Sequence, residues 1–393
     1  MVESPLNSKI SQENSSKLGE RLPQILRYYK NPTLAKSVTE KIHELANKIE
    51  ENIAIMHVCG SHEWTITHYG IRALLPDNVQ VRAGPGCPVC ITPAKDIDEA
   101  VKLALDGVVV MTYGDMSRSK GTKMSLQDAK ALGADVRVVY GVQDAVQMAK
   151  KEPNKDFLFF AVGMDTTAPA TAYEILSGVP RNLSFLVSYR YTPSIQGSVM
   201  ESNVLGIDAF ISAGHSATIT GMKPYYEYFL RTKKPVVFSG FEPLDILLSV
   251  FMLLRQIYEN KPKLENEYTR SVTWEGNVKA QNVMEKVFDL EDGYVRGVAV
   301  FPKAGFRLKD EFKDLDARER YGLKKGVSME DEYVTGARCG EVVMGLIDPP
   351  ECPLYMKVCK PEDPKGAPMV SQEGTCWIWA HHKITNYVPK CKR

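Results

Sequence analysis

The chain has 393 residues, 44% hydrophobic, 25% charged and 9% aromatic, which is ordinary for a soluble globular protein able to bury a sizeable core and implies two or three domains. Its 49 basic and 48 acidic side chains leave a formal charge of +1, which argues against a broad nucleic-acid surface. No apolar run is long enough to span a membrane, and the polar opening MVESPLNSKISQENSSKLGE lacks the apolar core of a secretory signal, so a reducing cytoplasm is the expected location.

After a polar lead-in, Leu34, Val38, Ile42, Leu45 and Ile49 recur at helical spacing. Short apolar runs follow at 53–58, 79–83, 107–112, 136–140, 157–162, 183–187, 209–211 and 235–238, several without alternation, as in strands covered on both faces. Helix-length segments lie between them at 94–105, 126–132 and 144–150, and strand–loop–helix repetition of this kind builds parallel α/β sheets. The charged link KKEPNKD at 150–156 divides the strands into two batches, which predicts one α/β domain over 52–150 and a second over 151–258. A long helix at 244–258, a charged loop at 261–270, a helix near 278–288 and a Gly/Pro-rich tail complete the chain. Residues 22–51 and 259–393 are expected to form a smaller, irregular domain.

Eight cysteines are unusual in a chain of this size that needs no disulfide scaffold, and clustered thiols in the cytoplasm suggest metal or redox chemistry. Cys339, Cys352, Cys359 and Cys376 are separated by 12, 6 and 16 residues in a tail rich in Pro and Gly. Four thiolates can hold a [4Fe–4S] cube or a structural zinc ion. No paired C-x₂₋₄-C arm occurs among them, and a site gathered from four loops suits the larger object without excluding zinc. Cys391, near the terminus, reads as a bystander.

Cys87-Pro88-Val89-Cys90 has the spacing of a redox pair or of half a zinc site. With Thr92 as N-cap and Pro93 as the first residue of a helix running on through 94–105, both sulfurs would stand before a helix N-terminus, which favours thiolate. Cys59-Gly60-Ser61-His62-Glu63 follows an apolar run, so its sulfur belongs at the carboxyl edge of a sheet, where open α/β folds place ligands. His62 can serve that site or hydrogen-bond its own turn, and Cys59 can equally be a buried structural thiol. Weaker candidates are Asp165 and Thr166 in GMDTTAP, His215 in a loop after a strand, and Glu242 in GFEP; each could reach the same rim, and each also has an ordinary structural reading. Nucleotide-binding glycine motifs and a nucleophile elbow are lacking.

Taken together, CGSHEWTITHYGIRALLP (59–76), GPGCPVCITP (84–93), YGDMSRSKG (113–121), FFAVGMDTTAPATA (159–172), GHSATITG (214–221), GFEPLDIL (240–247) and the tail ECPLYMKVCKPEDPKGAPMVSQEGTC (351–376) resemble the hydrogenase maturation factor HypD family. The resemblance implies two α/β domains of related topology and a third domain with a [4Fe–4S] cluster. It implies a scaffold on which Fe(CN)₂CO, the iron part of the [NiFe]-hydrogenase site, is assembled with a small HypC-type chaperone. A HypE-type partner, itself loaded by a HypF-type carbamoyltransferase, would donate cyanide. By matching position Cys59 is the iron-binding thiol with His62 beside it, Cys87 and Cys90 are the redox pair, and Cys339, Cys352, Cys359 and Cys376 are the cluster ligands. The chain departs from the usual family pattern at Met164-Asp165, Tyr189-Arg190, Ala213 and Pro368. A cluster-linked thiol–disulfide reductase, a zinc-stabilised binding module and a divergent paralogue building a related iron centre are the competing expectations.

Overall fold

The computed structural model describes residues 27–202, 205–324, 326 and 336–385. The chain begins one sheet with β1 (Ile53–His57) and β2 (Val79–Ala83), then crosses to a second sheet for β3 (Val109–Thr112), β4 (Val136–Val138), β5 (Phe157–Met164) and β6 (Leu183–Arg190). It returns to the first sheet with β7 (Ala209–Ala213), β8 (Val236–Ser239) and β9 (Leu264–Asn266), and closes on the second with β10 (Phe288–Val295) and β11 (Ala299–Leu308). The first sheet has the order β2-β1-β7-β8-β9, all parallel. In the second, order β10-β11-β6-β5-β3-β4, the members β3 to β6 are parallel and the closing hairpin is antiparallel.

Counted from its own first strand, each parallel set runs in the order 2-1-3-4, with β9 added as a fifth strand in the first, so the two α/β units are of related topology. Every residue of β1, β3, β5, β6, β7 and β8 is buried, because helices cover both faces. On the first sheet, Ile42 and Ala46 of the Pro32–Ala46 helix and Ile246, Val250 and Leu253 of the Pro243–Tyr258 helix pack against Ile55, Ile211 and Val237. The opposite face is filled by Met200, Phe210, Tyr225 and Phe238.

The expected division at 150–156 is overturned. The strands at 53–57 and 79–83 pair with those at 209–213 and 236–239, and the batch before the link therefore contributes to both sheets. The units are interleaved, with GPGCPVCITP forming the first crossing between them. Segments assigned to the irregular domain also move. The Pro32–Ala46 helix belongs to the first sheet, as does β9, and β10–β11 extend the second. What is left as a separate, strand-poor unit is 336–385, with its own core of Val342, Tyr355, Met369, Ile378 and Trp379. Among the described residues no helix is long and apolar enough to cross a membrane.

Candidate functional site

In open sheets of this order the crevice lies where connections from neighbouring strands leave in opposite directions, here between β1 and β7 and between β3 and β5. Cys59 follows β1 and His215 follows β7, so the two turns meet at the first crevice. Cys59 is the N-cap residue of the Gly60–His68 helix and is buried. Burial pushes its thiol up to about 11, while the backbone N–H groups of His62 and Ser61 at the helix start pull the other way. The His215 Nδ1 lies 4.0 Å from the Cys59 sulfur.

Two other side chains of the motif support this turn. The His62 Nε2 is 3.0 Å from the Gly240 carbonyl and 3.4 Å from that of Ser239, so it carries the proton, and the ring stacks on Phe241 at 4.8 Å. Burial, with His57 and His215 nearby, lowers its pKa to about 3 and keeps it neutral. What His62 gives Cys59 is its backbone N–H; its ring fixes the Gly240–Pro243 turn. Glu63, the next residue of the motif, is the centre of a buried network. It accepts from Trp379 Nε1 at 2.6 Å, from Thr67 at 2.7 Å and from both Arg72 amino groups at 2.6 and 2.9 Å, and its Oε2 lies 2.7 Å from His57 Nε2. Burial alone would raise its pKa, but the Arg72 guanidinium and His57 hold it well below the usual carboxylate range.

Cys87 and Cys90 are joined by a disulfide in the crossing between the sheets. Cys87 caps a single-turn helix, Pro88–Ile91, and its sulfur accepts from the Cys90 N–H at 3.2 Å. The cap expected at Thr92 is not made. Thr92 ends this extra turn and bonds back to the Pro88 carbonyl at 2.9 Å, leaving Pro93 to cap Ala94–Leu105. Gly86 lets the crossing approach the Cys59 turn: a Cβ there would meet the Cys59 Cα and N at closer than 3.0 Å. Cys59, Cys87 and Cys90 consequently line one small cavity, closed by Pro368, Glu373 and Thr375 of the tail. Glu373 went unnoticed in the sequence, and no local pattern marks it; it reaches the site because the tail folds back, with its carbonyl against Gly60.

In the tail, Cys339, Cys352, Cys359 and Cys376 line a second cavity together with Gly366 and Pro368. A Cβ at Gly366 would strike the Cys339 sulfur, so only glycine leaves that room. The Lys365 N–H donates to the Cys359 sulfur at 3.4 Å. Burial raises the thiols of Cys339, Cys359 and Cys376, and each is raised further by its sulfur neighbours. Four thiols on one cavity with a backbone donor to sulfur form a soft-metal donor set. The two cavities share Pro368, and the Ala367 carbonyl lies 4.0 Å from the Cys90 sulfur, so one short tail segment separates disulfide from quartet.

The remaining candidates are structural in their contacts. Asp165, after β5, accepts from the Thr192 N–H at 3.0 Å, the Thr192 hydroxyl at 3.1 Å and the Ser216 hydroxyl at 2.9 Å. It thus fixes the starts of the Thr192–Glu201 and Gly214–Thr220 helices and, through Ser216, the position of His215. Thr166 is half-buried in the same turn. Glu242 caps the Pro243–Tyr258 helix and pairs with Lys30 at 3.4 Å. Cys391 lies outside the described residues.

A family model described as the HypD, hydrogenase formation hypA family, matches residues 33–383. A hydrogenase expression/formation protein of Methanocaldococcus jannaschii is 43% identical over 353 residues, covering 89% of this chain and 97% of that protein. The hydrogenase maturation factor HypD of Rhizobium leguminosarum bv. viciae is 36% identical over 92% of this chain and 96% of its own length. The HypD of Cupriavidus necator is 38% identical over 82% of this chain and 87% of its own.

Proposed function

The chain belongs to the HypD family, whose role is hydrogenase maturation, and from that premise we propose that it is an iron–sulfur redox scaffold on which the Fe(CN)₂CO unit of [NiFe]-hydrogenase is assembled. The observation that carries this reading is the continuity of sulfur sites, from Cys59 through the Cys87/Cys90 cavity and across Ala367 and Gly366 to the four-cysteine cavity. Cys59 holds the cargo iron together with a cysteine of a HypC-type chaperone, since a soft iron carrying cyanide and carbon monoxide prefers thiolate. A HypE-type partner delivers cyanide as a thiocyanate. Splitting the S–C bond of a thiocyanate into thiol and cyanide takes two electrons and a proton. A Cys87/Cys90 dithiol releases two electrons as it closes to the disulfide. Cys339, Cys352, Cys359 and Cys376 hold a [4Fe–4S] cluster, which when bound supplies one-electron transfer to recharge the pair.

The donor set fits that group: four thiols share one cavity, Gly366 leaves room beside Cys339, and a backbone N–H is already directed at Cys359. Anaerobically purified protein should be brown, with about four iron atoms per chain. Gly366→Val, which drives a side chain against the Cys339 sulfur, should lose most of that iron while the circular dichroism of the two α/β units persists. A colourless wild-type protein holding one zinc ion would remove the cluster from this account.

A further inference from the structure

The Gly60–His68 and Thr375–His381 helices lie against each other, joined at mid-length by the Trp379-to-Glu63 hydrogen bond. One helix is capped by Cys59 at its start and ends in His68. The other carries Cys376 in its first turn and is followed by His382. At the histidine end the His68 Nδ1 and the His382 Nε2 face each other at 3.2 Å. The His382 Nδ1 lies 2.9 Å from the Ile378 carbonyl and must donate to it, so the Nε2 turned toward His68 is a lone pair. That outer bond to a carbonyl is the arrangement that fixes tautomer and ring orientation in metal-ligating histidines. His68 is itself held flat against Trp64, with ring centroids 4.3 Å apart and planes at 14°. Both Trp64 and His68 are exposed.

We propose that His68 and His382 form a site for one divalent transition-metal ion of the class that prefers imidazole, such as nickel or zinc, and that the ion clamps the histidine ends of the helices whose other ends carry Cys59 and Cys376. With metal–nitrogen bonds of about 2.0–2.1 Å, two nitrogens 3.2 Å apart subtend roughly 100° at the ion, between tetrahedral and octahedral angles. The metal replaces the proton shared by the two rings. The His68 proton moves through solvent to its Nε2, so the imidazoles bind neutral and no net charge is lost. The two imidazoles supply two coordination positions, and water supplies the others. The site is separate from the thiol chemistry and does not depend on the proposed function.

The test uses full-length, iron-replete protein titrated with nickel chloride near neutral pH, followed by calorimetry and by tryptophan fluorescence. Wild type should take up one equivalent that quenches Trp64. His68→Gln and His382→Gln should each weaken that uptake at least tenfold with unchanged thermal unfolding in chelator. Trp64→Phe should keep the uptake and lose most of the quenching, and Cys59→Ala should keep both. Equal nickel binding by wild type and the two histidine variants, loss of binding in Cys59→Ala, or no uptake by wild type would each overturn the proposal.

Discussion

Replacing Glu63 with alanine should destabilise the protein by about 3–5 kcal/mol at neutral pH, the scale expected when one partner of a buried charge network is removed. The Arg72 guanidinium, the Trp379 indole N–H and the Thr67 hydroxyl would all be left without their shared acceptor in the interior. The loss should not be uniform. Trp379 belongs to the tail unit and Glu63 to the Cys59 helix, so the segment 336–385 should become protease-sensitive before the sheets do. The pH dependence has a definite sign. The folded carboxyl sits below its unfolded value of about 4.3, so its contribution is fully present above that value and disappears as the pH falls through and beneath it. The stability difference between wild type and Glu63→Ala, from denaturant unfolding, should be largest near pH 7 and shrink below about pH 4. A constant difference across that window would mean that Glu63 acts through packing alone.

Gly86→Val should cost more function than stability. The added carbons would fall on the Cys59 Cα and N and the Val58 carbonyl carbon, all backbone atoms that cannot swing aside. Overpacking of this kind costs about 1–3 kcal/mol, and here the crossing between the sheets has to move to relieve it. Its displacement takes Cys87 and Cys90 away from Cys59 while leaving the four-cysteine cavity in place. Cyanide loading from a HypE-type partner should fall at least tenfold, with iron content and chaperone binding at wild-type levels. Normal loading by the variant would show that the disulfide need not adjoin Cys59.

Much of this arrangement was legible in the sequence. Each of the eight apolar runs from 53 to 238 overlaps an observed strand, because strands buried on both faces leave unbroken apolar stretches. The grouping of the cysteines could also be read directly: Cys59 at a strand-to-helix turn, Cys87 with Cys90, and the tail four around one cavity. Strand order was not legible. Which strands pair is a matter of long-range packing, and the link at 150–156 is a turn within the second sheet rather than a boundary. The β10–β11 hairpin escaped notice because its middle, from Leu290 to Asp292 and at Pro302 and Lys303, is exposed and breaks any apolar run. Arg190, one of the family departures, donates to the Tyr294 carbonyl and so helps seat that hairpin. Glu373 and Trp379 lie more than 300 residues from the motif they complete, and nothing local announces a contact that forms only when the tail folds over the first helix.

The central claim is that Cys59 holds the iron being built. The infrared spectrum of the complex purified anaerobically with its small chaperone tests it most directly. Wild type should show stretching bands of iron-bound cyanide and carbon monoxide, and Cys59→Ala should lose them while keeping the chaperone and the iron of the tail. Bands of undiminished intensity in Cys59→Ala, or none in the wild-type complex, would contradict the account.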